Sequence, residues 1–444
     1  MVSRLFMIAV AAGVLSPGAA VALPLEDARH LAGRVAFGLD PAIRAPLIAG
    51  DRVKAVDALF ATVRTAPVTS LPEWTTGSRD PGYVNTGRLN VDERKAFDDR
   101  VRIRREELRA WWMKEMLDTP SPFTERMVLF WHGHFTSSLD PVNHPDLLLQ
   151  QNLLLRRHAF GDFRQMVREI TRDPAMIRYL DLQQNRKGAP NENYARELFE
   201  LFTLGEGHYS EADIREAARA LTGLTVDPTT RVAGFDARRF DDGEKTIFGK
   251  TAKFGIDELI DHTLAQPRAA VFVVEKLWRE FVSDRPDPAV VARLSERFRA
   301  DWNLAGLVRG LLTTDAFWAS ANRAVLVKSP VDVLVGTARL TGAAVQPDQL
   351  WRQSARLGLD LFNPPNVKGW PGGAAWINAD TILRRRQMAQ ALARNAAEAP
   401  EPWNVPGGPT ALLLAAPPQT TPPETAPRRR RLVGRVGDTA YQLQ

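Results

Sequence analysis

Apolar positions recur along this chain at three- and four-residue spacing almost from end to end, and long alternating runs of β-branched residues are missing. That period belongs to helices that bury one face. The start signals agree. Proline is tolerated at the first helical position, where its missing N–H would be unpaired anyway, and Ser121-Pro122, Asp173-Pro174 and Ser329-Pro330 each stand before an apolar helical run. Asp315 before Ala316-Phe317-Trp318 marks another start. The pattern predicts roughly 14 to 16 helices with short connections. Between Phe235 and Phe248 two extended pieces flank Asp242-Gly243, which predicts a hairpin. The expected class is mainly α: a large multi-helix bundle-like domain with at most a small β-hairpin.

The ends of the chain break this pattern. Residues 1–22 carry Arg4, an apolar run from Leu5 to Leu15, a Ser16-Pro17-Gly18 break and Ala20-Val21-Ala22. These are the parts of a cleaved secretory signal peptide, and the run is about half of the roughly 20 residues a membrane span needs. No twin arginine precedes the run and no lipid-accepting cysteine follows it, so a product in the periplasm or outside the cell is expected, without a transmembrane segment. The helical domain is expected over residues 23–398, with a polar loop at 69–90 inside it. Residues 399–431 form a Pro/Arg-rich segment, read as flexible. Residues 432–444 regain apolar character, and the sequence predicts that they dock back on the domain. No internal repeat is found.

Composition then narrows the function classes. The chain of 444 residues has no cysteine, so stability in an oxidising compartment must come from buried surface. The formal charge is +6, but arginines and acids interleave, as in RVRIRREELRAWW, which describes a solvated mixed-charge surface. Nucleic acid is not an expected partner, since no aromatic-basic motif appears.

Three segments carry candidate chemistry. The first is NENYARELFELFTLGEGHYS, Asn191 to Ser210. At 100° per residue, Glu192, Asn193, Arg196, Glu197, Glu200, Thr203 and Leu204 share an arc of about 140°, opposite Tyr194, Ala195, Leu198, Phe199, Leu201 and Phe202. Asn191 is the expected N-cap, and Ser210 with Asp213 caps a second helix with Ile214, Ala217, Ala218 and Leu221 as its buried stripe. The connection lacks the carboxylates and length of a calcium loop. The polar arc is either an ion-pair ladder, Glu192 to Arg196 to Glu200, or a cleft floor of Glu197 and Glu200, with Asn193, whose carboxylates share a proton or hold a cation; Asn193 and Arg196 are candidate ligand-binding residues.

The second is FWHGHF, with His132 and His134 as candidate catalytic or metal-ligating residues for a divalent ion. On a strand they share a face. On a helix they lie about 200° apart and cannot grip one ion. The alternative is a pair of buried, hydrogen-bonded core histidines. The third is the loop Leu361 to Asn378, whose prolines and glycines forbid regular structure. It carries Asn363, Asn366, Lys368, Trp370, Trp376 and Asn378, and indoles beside amides suit saccharides. A rigid plug between helices is the competing expectation.

In order, LFWHGHF, the run from Gln151 through NENYARELFELFTLGEGHYS to ARALTG, KTIFGKTAKFG, KLWREFV, LLTTDAFW, KSPVDVLVGTARL and LFNPPNVKGWPGG resemble the bacterial family called domain of unknown function 1800. The resemblance runs from about Leu25 to the end. Where that family usually has Asn between the two histidines, this chain has Gly133. The resemblance implies an exported, mainly helical protein with a co-exported partner, and it implies no reaction. Three functions stay open: a binding or accessory protein for a cell-envelope or extracellular polymer, a metal-assisted hydrolase using the histidines with Glu197 and Glu200, and a structural scaffold.

Overall fold

The computed structural model describes residues 22–75, 86–396, 405–420 and 425–444. The leader expected at 1–22 therefore lies outside the described residues except for Ala22, as do the middle of the 69–90 loop and parts of the 399–431 segment. Among the described residues there are 21 α-helices and two small two-stranded antiparallel sheets. The protein is mainly α. The helix count exceeds expectation because several helices, such as Leu139–Val142 and Asp315–Trp318, have only four residues and no periodic signature.

Local chemistry explains most helix starts. Asp40, Asp51, Asp162, Asp173 and Asp287 each accept hydrogen bonds from backbone N–H groups of the first turn. Ser329 with Asp332 and Ser210 with Asp213 close reciprocal capping boxes, and proline opens Pro122–His134, Pro174–Tyr179 and Pro330–Thr341. The second helix of the acidic segment is Glu211–Ala220, and Ile214, Ala217, Ala218 and Leu221 are buried as its stripe predicts.

The hairpin sits elsewhere than expected. Lys245–Ile247 pairs with Lys250–Ala252 around Phe248 and Gly249, both at positive φ (46° and 75°), the conformation that a two-residue turn requires. Asp242-Gly243 is instead part of a loop stitched by side chains, with Asp241 accepting from Gly243 N and from the Arg219 guanidinium. A second ribbon pairs Leu224–Val226 with Ala233–Phe235.

Pro122–His134 runs through the centre of the molecule. Eleven of its residues are buried, including two charged ones, Glu125 and Arg126. A helix that is apolar all round must be packed on every side, and its charges must find partners inside the protein. Glu125 takes Nε and Nη2 of Arg156 at 2.9 and 2.7 Å and the indole N–H of Trp112 at 2.9 Å. Arg126 pairs with Asp332 and, at 2.9 Å, with Glu280.

Within the Pro/Arg-rich region, Gly408–Leu413 is helical and buries Leu412 and Leu413, followed by Leu414. Arg428–Val436 is also a helix. The last residues form a short ladder with 326–328, in which Lys328 N–H bonds Gln442 O at 2.8 Å and Gln444 N–H bonds Leu326 O at 2.9 Å.

Candidate ligand cavity

The loop 361–378 packs on the C-terminal end of the Pro122–His134 helix. Leu139 N–H bonds Phe362 O at 2.9 Å, and the Ser138 hydroxyl donates to the Asn363 amide oxygen at 2.6 Å. Gly369, at φ 87°, brings its backbone so close to Gly133 that an added Cβ would lie 2.5 Å from the Gly133 carbonyl oxygen. Trp370 turns its indole N–H back to Asp360 O, at 3.2 Å, and rests beside His132 with ring centroids 5.3 Å apart.

Beside this junction lies a cavity of about 240 Å³. The loop contributes Lys368, Trp370 and Trp376, and the central helix contributes Arg126, Phe130 and His134. The helix Pro267–Phe281 adds Lys276, Arg279 and Glu280, and the start of Pro330–Thr341 adds Ser329 and Asp332.

The acidic segment enters through an unexpected backbone. Asn193–Glu197 is α-helical, but Leu198–Thr203 is a π-helix, with Leu204 N–H bonded to Phe199 O at 2.8 Å. The wider turn advances each following side chain less than 100°, so Thr203 and Leu204, expected on the polar arc, are fully buried. The carbonyls at its end are taken by side chains: Leu201 O by Lys276 Nζ at 3.1 Å, Phe202 O by His134 Nε2 at 3.0 Å, and Leu204 O by Arg268 Nε at 3.1 Å. The histidine segment and the loop thus line the cavity, whereas the acidic segment contributes none of its residues to the lining and only holds Lys276 and His134 from behind through backbone carbonyls.

The ladder on the polar arc is only half formed. Arg196 reaches Glu192 at 3.4 Å but turns its other contacts to Glu211, at 2.8 and 2.9 Å, while Glu200 accepts the Tyr209 hydroxyl at 2.7 Å. Asn191, the expected N-cap, accepts from Asn193 N–H at 2.9 Å, and Asn193 is exposed. Glu197 is half-buried, and its carboxyl is pushed up by burial and by Glu200, opposed first by Arg196 and then by Lys368.

The loop asparagines are occupied internally. Asn363 also bonds Asp140, Asn366 accepts from Lys368 N–H at 2.9 Å, and Asn378 caps the helix Ala379–Arg394 through Asp380 and Thr381 N–H groups. Of the residues singled out in the sequence, His134, Lys368, Trp370 and Trp376 line the cavity. Arg126, Lys276, Arg279, Glu280 and Asp332 were missed. Their signal was a charge set among apolar neighbours, as in TERMVLFW and VEKLWREF.

The helix continues through His134, so the two imidazoles face different neighbours. His134 lies among Trp131, Phe135 and Phe202, and His132 among Trp112, Phe362 and Trp370. No group of three or more metal-ligating side chains occurs among the described residues. The pair does not present a joint chelate. His134 bonds through Nε2 alone, its Nδ1 having no partner among the described residues, and in His132 neither ring nitrogen has one. Burial pulls the His132 pKa down to about 3. A neutral native imidazole against an unfolded one near 6.5 means that the unfolded chain binds more protons between those values. Stability therefore falls as pH drops through that window, by up to about 1.4 kcal/mol per unit for this group. His132→Leu is expected to remove that part of the acid sensitivity and to match or exceed wild-type stability at pH 7, because no hydrogen bond is lost. Urea unfolding of both proteins at pH 4 to 7 checks this; equal pH slopes would count against it.

The fold and site define a mainly helical protein with a charged and aromatic cavity at the meeting of a buried helix end and an irregular loop. The chain belongs to the family described as protein of unknown function (DUF1800), which matches residues 30–442. Comparison with curated proteins and with solved structures gave no match. No helix among the described residues is long and apolar enough to cross a membrane.

Proposed function

We propose that this chain is an exported binding or accessory protein that holds one unit of a cell-envelope or extracellular saccharide in the central cavity, working beside a secreted partner. The observation that carries this reading is the convergence of Trp370, Trp376, Lys368 and His134 on one cavity. A volume of about 240 Å³ is below the roughly 300–1,000 Å³ of pockets for drug-sized ligands, which suits one sugar ring better than a long segment. Trp376 supplies an apolar face of the kind that stacks on a sugar, and the charged rim supplies hydrogen-bonding groups. The separated histidines give the metal-assisted hydrolase no geometric support. The leader composition supports export, and N-terminal sequencing of the secreted protein should begin near Leu23.

Calorimetric titration with a panel of envelope and extracellular oligosaccharides tests the reading. A binder is expected, with Trp376→Phe weakening it by about tenfold and Trp376→Ala by more. If no saccharide in the panel binds the folded wild-type protein, the reading falls.

A further inference from the structure

The charges around the cavity do not balance. Its two acidic side chains, Glu280 and Asp332, both pair with Arg126, and Asp332 also lies close to Lys328; the carboxylate of Gln444, which also lines the cavity, lies beside Leu326, with Leu326 N–H at 3.4 Å from its oxygen. Lys276, Arg279 and Lys368 remain on the same wall. Lys276 is the most constrained of them. It has no carboxylate within ion-pair distance among the described residues; it spends one of its three donors on Leu201 O and sits over the Phe272 ring at 5.2 Å. Arg279 approaches Glu275 only at 3.6 Å, and that carboxylate is already forked by Arg268 at 3.1 and 2.8 Å. Lys368 is exposed, with the half-buried Glu197 near it. His134, the remaining base on this wall, is neutral.

Building on the saccharide reading above, we infer that the sugar this cavity takes is an acidic one, whose anionic group sits among Lys276, Arg279 and Lys368 while its ring lies against Trp376. A cation held off water without a counter-charge is costly, and a bound anion removes that cost. Burial and the neighbouring Arg279 pull the Lys276 ammonium down to about 8, the direction expected of a cation lacking its partner. A carboxylate and a phosphate ester share the required chemistry.

The test is calorimetric titration of the full mature chain with four probes: a short oligogalacturonide, its neutral methyl ester, glucose 6-phosphate and inorganic phosphate. Binding of the uronide or the sugar phosphate is expected to exceed that of the methyl ester by at least about tenfold. Lys276→Met is expected to abolish this preference. Arg279→Gln, on a half-exposed side chain that holds no buried group, is expected to reduce it several-fold, which guards against a folding defect in the first variant. Arg238→Gln, a 91% exposed charge, is expected to leave it unchanged. The uronide and phosphate arms decide which acid is preferred. Equal binding of the ester overturns the inference and leaves the saccharide reading standing. Lys276-dependent binding of inorganic phosphate alone overturns the saccharide reading and keeps the anion site. Failure of all four probes overturns the inference, and the oligosaccharide panel then decides the saccharide reading.

Discussion

Glu125→Ala is expected to lower stability by about 3–5 kcal/mol, the usual consequence of removing one partner from a buried ion pair. The Arg156 side chain is fully buried; its Nε and Nη2 end on Glu125, and Nη1 donates to the Asn152 amide oxygen at 2.7 Å. Removing the carboxylate strands that charge and also orphans the Trp112 indole N–H. The double variant Glu125→Leu with Arg156→Met should recover most of the loss, since apolar residues of similar volume often replace a buried pair at little cost. Urea denaturation of the three proteins measures both values. A loss under about 1 kcal/mol in the single variant would mean that Arg156 finds another partner, contrary to the packing described.

The second large effect is expected at Gly369. Its φ of 87° is unfavourable for any side chain, by roughly 1–2 kcal/mol, and its Cβ would meet backbone oxygen, which cannot step aside as a flexible side chain can. Gly369→Ala should therefore push the loop off the end of the central helix, carrying Lys368 and Trp370 with it. Ligand affinity is expected to fall by at least about tenfold, and stability by roughly 2–4 kcal/mol. Gly133→Ala is the contrasting control. A Cβ there finds only Trp370 Cε3 at 3.9 Å, an ordinary contact, and alanine favours the helix by up to about 1 kcal/mol. Calorimetry on both variants separates the cases; equal effects would mean that the close approach of the two glycines does not set the cavity.

Much of this was legible in the sequence because local rules and tertiary packing agree. The Ser329 and Ser210 capping boxes, the proline starts and the stripe of Glu211–Ala220 needed no knowledge of neighbours. The hairpin was misplaced because Asp-Gly is the stronger turn signal, whereas Phe248 accepts positive φ only through its surroundings: its N–H is held by Asp213, and its ring packs on Phe199. The asparagines of the loop were read as free polar groups, but each answers a backbone or side-chain need that only the folded loop creates. Lys276 and Glu280 were passed over because their helix reads as a simple amphipathic one. What makes them cavity residues is the approach of the loop and of the central helix, contacts distant in sequence. The unbonded His132 had no sequence signal at all.

The π-turn at Leu198–Thr203 has a consequence for how this protein could change. Such a turn is the imprint of one residue more than an α-helix would use, accommodated without breaking the rod. Deleting a single residue there would return the segment to α-helical winding and change which carbonyls its end presents. The carbonyls now held by Lys276 and His134 would leave them, although every residue lining the cavity would keep its identity. Chain length at this point, as much as side-chain choice, is therefore a means by which the cavity can be retuned.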